Sequence, residues 1–175
     1  VNFAQADLSH AVLVGVSLSN ANLYNTLLVG SDLRGSCLAD AQLNLVDLSE
    51  ATLDRANADR SSMINSILSS TRLRGVRLRS ANLSNVIMEQ TDFSDRVPLS
   101  RNDLCWTPYP WCEYEESGCE EQGTGRCLNE SEDPRCYCRT SLKGADLNNS
   151  TILGSKFNYS DPVSYTHLRA HETVV

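Results

Sequence analysis

Aromatic residues make up only 6% of the 175-residue chain, although 41% of its residues are apolar. That ratio does not build a conventional globular core packed around rings. No proline occurs before Pro98, and no apolar run approaches the ~18 residues needed to cross a bilayer, so no membrane span is expected. No basic surplus exists either: the net charge is −7, which argues against direct nucleic-acid binding. Histidines are limited to His10, His167 and His171. The chain does not start at Met, and "VNFAQ" already carries the pattern described next. The expectation is a fragment whose signal peptide, if any, lies upstream.

What the chain does have is a period of five. Large residues recur from Phe3 through Leu8, Leu13 and Leu18 to Leu83, Met88 and Phe93. Fourteen of these nineteen centres are Leu, and only Ala58 is small. Two positions before each centre stands Val, Ala, Ser or Thr. On an α-helix, five residues turn through about 500°, which would scatter the centres around the axis. On a flat strand, an odd spacing sends alternate centres to opposite faces. One dry interior results only if each quintet is a short extended piece plus a corner. The chain then winds as a β-solenoid, with the centre and the residue two before it pointing inward.

The quintets "ADLSH", "ANLYN", "SDLRG" and "ANLSN" resemble the pentapeptide-repeat family, and the match runs over about ninety-five residues. The resemblance implies an all-β fold, a right-handed four-sided β-helix with twenty residues per coil. Burying a Leu gives roughly 1.5–3 kcal/mol, whereas ordering five residues costs about 5–10 kcal/mol. A lone quintet therefore cannot fold, and stability must be shared along the stack.

With twenty residues per coil, positions twenty apart are stacked neighbours. One column reads Asn2, Asn22, Gln42, Ser62 and Asn82, where amides are expected to hydrogen-bond up the stack. Arg34, Asp54 and Arg74 share another; Asp40 lies over Arg60, Asp59 over Arg79, and Arg72 over Asp92. Arg55 and Arg77 find no acid in this scheme. The "TRLRGVRLRS" segment thus reads as a charge ladder rather than a basic patch. Another face carries Leu27, Val29, Ile67 and Ile87, either scattered surface residues or a docking stripe.

After Phe93 the rhythm breaks, and it returns at Leu142, Leu147, Ile152 and Phe157. The expected organisation is repeats over 1–95, a Cys-rich insertion over 96–139, resumed repeats over 140–161 and a tail over 162–175. Within the insertion, 97–104 can be read as two shifted repeats. It holds Cys105, Cys112, Cys119, Cys127, Cys136 and Cys138, with Trp106 and Trp111. Six cysteines in about forty residues favour three disulfides of open connectivity and an extracytoplasmic, secreted or lumenal setting. Zinc is the rival, but paired Cys-x2-Cys knuckles and a nearby His are missing, so no metal is expected. The spacing from Cys112 to Cys138 faintly resembles an EGF-like module that lacks its sixth Cys. In "CWTPYPWCEYEE", Trp106, Tyr109, Trp111, Glu113 and Glu115 are candidate binding residues, with a small private core as the plainer reading. Asn129 opens an "NES" glycosylation triplet, and Cys37 stands alone at an outward position.

"VSYTHLRAHET", Val163 to Thr173, resembles a translated sequencing adapter, which would make His167 and His171 artefacts. No nucleophile–base arrangement is recognisable, so neither an enzyme nor a cofactor is expected. The leading expectation is a non-enzymatic scaffold presenting a disulfide-stapled acidic and aromatic loop to a macromolecular partner, a protein or a glycan. The alternative comes from the family resemblance. Some pentapeptide-repeat proteins bind DNA gyrase by imitating the duplex, although here most acids in the repeats are matched by Arg. A third reading makes the rod a spacer for an enzyme domain outside the fragment.

Overall fold

The computed structural model describes residues 1–94, 142 and 144–155, together with the backbone of three short strands. Each quintet repeats the same local chemistry. The carbonyl of the centre accepts the N–H three residues on, as Phe3 does from Ala6 and Leu28 from Ser31. Two residues after the centre the backbone is left-handed, with φ of 63° at Gln5, 59° at His10 and 60° at Leu45. This is a turn that needs positive φ at its third residue. Gly30 shows one reason for glycine at such a corner, since an added Cβ would lie 2.7 Å from the His10 ring.

Between turns the chain passes over itself every twenty residues. Asn2 bridges Asn22, Asp7 bridges Leu27, Val12 bridges Asp32 and Ser17 bridges Cys37, all in parallel. Backbone bonds such as Phe3 N–H to Asn22 O at 2.8 Å and Leu43 N–H to Ser62 O at 2.6 Å tie coil to coil. The centres point inward, and Leu23, Leu33, Leu43, Leu53 and Leu73 are fully buried. Small residues two places earlier fill the remaining interior. Where these are polar, a backbone carbonyl usually satisfies them: the Ser66 and Thr71 hydroxyls donate to the carbonyls of Leu43 and Leu48, whereas the buried Ser36 hydroxyl has no partner among the described residues.

This geometry corrects the expected fold class. An all-β, right-handed four-sided β-helix would have sheets for walls, but the described part of the repeat run contains no strand. Its pairings are isolated single-residue bridges. The reason is local: a left-handed residue in every quintet ends the extended segment before a second bridge can form beside the first. The strands lie elsewhere, as β1 (Val97–Pro98), β2 (Cys112–Tyr114) and β3 (Cys136–Cys138), an antiparallel sheet in the order β1-β3-β2.

Near the end of the run the stacking interval jumps. Asn82 bridges Asp146 and Ile87 bridges Thr151, an interval of 64 residues where the rest of the run has twenty, so 44 residues are passed over. Leu142 is buried, and Gly144 sits against Ser80. Leu142 therefore takes the place of the next centre after Phe93. Position 98, which the uninterrupted period would have used, holds a proline.

The disulfide expectation is also corrected. Cys37, outside the cluster, is disulfide-bonded. All the other cysteines of the chain belong to the cluster Cys105, Cys112, Cys119, Cys127, Cys136 and Cys138. A bond to Cys37 takes one member out of that set, so three closed pairs within it are excluded. The stapled-loop scaffold and the extracytoplasmic setting both rested on that closed set, and both lose their basis.

Candidate interaction face

The four sides of the coil differ sharply in chemistry. The side carrying Asn2, Asn22, Gln42, Ser62 and Asn82 is uncharged until Asp146. Its amides mostly do not ladder between coils. The Oδ1 atoms of Asn2, Asn22 and Asn82 accept the N–H of Ala4, Tyr24 and Ser84 in their own turns. Asn44 is the exception, accepting from Ser62 and Ile64 one coil on.

All seven Arg of the run lie on two adjacent sides and are engaged there. Arg60 pairs with Asp40 at 2.6 Å, as the columns predict. The Asp54 side chain is only 2% exposed and receives both Arg72 and Arg74 at 2.5 Å. Arg72 thus reaches diagonally, instead of to Asp92 above it. Arg34 turns back to Asp32 at 2.6 Å and leaves Asp54 to the other two. Arg77, unmatched in the column scheme, pairs with Asp59. Hydrogen bonds from Arg34 and from Arg60 hold the carboxyls of Asp32 and Asp40 below the ordinary range. Burial pulls the Arg77 guanidinium below its ordinary value, and Asp59 opposes that pull.

The remaining side, formed by 6–10, 26–30, 46–50, 66–70, 86–90 and 150–154, contains no Lys or Arg. It carries Asp7, Asp47, Glu50 and Glu89, none in an ion pair with a basic side chain of the described residues. Asp7 and Asp47 accept the N–H of Ser9 and Ser49, and Ser9 holds the Asp7 carboxyl below its usual value. Between these acids stand Leu27, Ile67, Ile87 and Leu153, exposed at 45%, 37%, 40% and 48%. Acids fall in the first, third and fifth coils, and exposed apolar residues in the second, fourth, fifth and sixth. The apolar half of this pattern was visible in the sequence. The acidic half was not, because along the chain its members are interleaved with the paired charges of the other sides. The clue available was that the quintets of this side carry acids but no Lys or Arg.

The loop candidates add little geometry. Glu113 lies on β2 opposite Tyr137 of β3. Trp106, Tyr109, Trp111, Glu115 and Asn129 lie outside the described residues. Among the described residues no cluster suited to a metal ion occurs, and no helix is long and apolar enough to cross a membrane.

The family model for pentapeptide repeats matches residues 1–35, 27–63, 41–79 and 59–95. The chain belongs to the pentapeptide-repeat family. Solved structures similar to it include HetL, a pentapeptide-repeat protein involved in heterocyst differentiation regulation in the cyanobacterium Nostoc sp. strain PCC 7120. HetL is 19% identical with a TM-score of 0.39, covering 89% of this chain and 73% of that one. Rfr23 from the cyanobacterium Cyanothece 51142 is 20% identical, TM-score 0.36, covering 86% and 60%. QnrB1, a plasmid-mediated fluoroquinolone resistance protein, is 15% identical, TM-score 0.37, covering 93% and 62%. No curated protein matches the chain.

Proposed function

We propose that this pentapeptide-repeat protein binds a DNA-handling protein, of which DNA gyrase is the model case, on the surface that otherwise holds duplex DNA. The observation that carries the reading is the segregation of charge. The seven Arg residues of the repeat run are engaged on two sides of the coil, and a third side is left with four acids and no Lys or Arg. A surface of one sign attracts a complementary one and raises the encounter rate, and DNA-binding surfaces are basic. The resistance protein QnrB1 among the similar structures is in keeping with such a role.

Charge alone does not make a duplex. Four acids over five coils amount to about one charge per 5–6 Å of coil axis at strand spacing, against one per ~1.7 Å for DNA. The exposed apolar residues must therefore contribute to binding. In this reading the working element is the coil, residues 96–139 are an insertion carried on it, and Val163–Thr173 is translated adapter. The test is DNA supercoiling by gyrase with the protein titrated in, alongside competition with labelled duplex for gyrase. Inhibition with displacement of the duplex supports the reading. Undisturbed supercoiling and an undisplaced duplex end it.

A further inference from the structure

The acidic, apolar side of the coil has a spacing that selects the shape of its partner, an inference that rests on the reading of that side as a binding surface. Parallel bridges set successive coils at about 4.8 Å, so acid-bearing coils one, three and five lie about 9.6 Å apart. Seven residues of α-helix rise about 10.5 Å. A helix laid along the coil axis, tilted by about 24°, projects its heptad repeat onto that interval. Residues three or four further along the helix then fall about halfway, over the second and fourth coils, where Leu27 and Ile67 are exposed. We infer that this side of the coil is a track for a basic amphipathic α-helix, with Lys or Arg at heptad spacing facing Asp7, Asp47 with Glu50, and Glu89. An apolar ridge between those bases would lie on Leu27 and Ile67, with Ile87 flanking Glu89 on the fifth coil.

The other sides do not offer this combination. The two Arg-bearing sides carry paired charge, and the amide side presents no acid over its first five coils. A second copy of the chain would have to bring a basic face, and among the described residues its Arg side chains are already engaged. A flexible polycation would profit from the acids but not from the alternation, so spacing is the property to test.

The test uses the full chain and two synthetic helical peptides of about twenty residues and identical composition. One has Lys every seventh position with Leu midway between; the other has the same residues in a non-heptad order. Binding is followed by fluorescence anisotropy, and peptide helicity by circular dichroism. The expected result is at least tenfold tighter binding of the heptad peptide, with helix formation on binding. Asp47→Asn combined with Glu50→Gln and Glu89→Gln, or Ile67→Ser with Ile87→Ser, should each weaken it at least tenfold. Gln42→Ala on the amide side should leave it unchanged. These positions are outward-facing, and unaltered melting of each variant shows that the coil is intact. Equal binding of both peptides, no binding, or indifference to the substitutions overturns the proposal. Neither gyrase nor DNA is present, so this assay and the supercoiling assay can fail independently.

Discussion

Asp54 and Asp40 each face an Arg, yet their surroundings make them unequal. Asp40 is exposed and its pair with Arg60 stands in water, where such pairs contribute about 0–1 kcal/mol. Asp54 is shut in at 2% exposure and accepts from Arg72, from Arg74 and from the Arg74 N–H. Removing it leaves two guanidiniums that are 48% and 34% exposed and can partly rehydrate. Asp54→Ala should therefore cost about 2–3 kcal/mol, and Asp40→Ala no more than about 1 kcal/mol, both measured by urea unfolding. Acid should reveal the lowered carboxyls of Asp32 and Asp40. A carboxyl lowered in the folded state contributes stability above its unfolded value, and that contribution disappears as pH falls through the folded value. Stability should accordingly decline below the ordinary range near 3.8, and more shallowly when Asp32 and Asp40 are both replaced by Asn.

Each quintet depends on one residue in a conformation that side chains resist. The left-handed region costs an ordinary residue roughly 1–2 kcal/mol, and Asn and Gly much less. Asn25, Asn65, Asn85, Gly15 and Gly35 meet that demand at their corners, whereas Leu45 accepts φ 60° while 42% exposed. Leu45→Asn should raise stability by about 1 kcal/mol, read as a higher urea midpoint with unchanged slope; a loss would mean that the Leu45 side chain packs productively. The inward Leu positions were legible because only a quintet bend collects a period of five on one axis. The Asp40–Arg60 pair was legible from the twenty-residue interval. The absence of strands was not, since left-handed corners at residues such as Leu45 and Arg55 leave no mark in residue type. Nor was the diagonal reach of Arg72, because a long side chain chooses among acids on neighbouring coils according to burial. The acidic face emerged only when each quintet was placed on its side.

At the scale of the whole molecule, the coil and the segment between 95 and 140 are separable by register. The bridges from Asn82 to Asp146 and from Ile87 to Thr151 restore the pairing pattern after 44 extra residues. Buried Leu142 stands where the centre after Phe93 is due. Joining residue 95 directly to residue 140 should then give an unbroken period, with Leu142 five places after Phe93. The deletion is made with Cys37→Ser, since Cys37 is disulfide-bonded and its partner would be removed; the flanking column residues Ser17 and Asn57 are also small and polar. Melting of this shortened chain, followed by circular dichroism, should lie within about 4 °C of a Cys37→Ser control that keeps the segment, because about 1 kcal/mol moves a domain of roughly 100 residues by 4–8 °C. The bridge interval across the junction falls from 64 to twenty, and the shorter connection reduces the entropy lost in closing the last coils. A large drop in melting temperature would instead show that the segment covers the end of the coil, shielding the interior around Phe93 and Leu142. The register predicts the smaller effect, because both centres already belong to the same buried core as the centres before them.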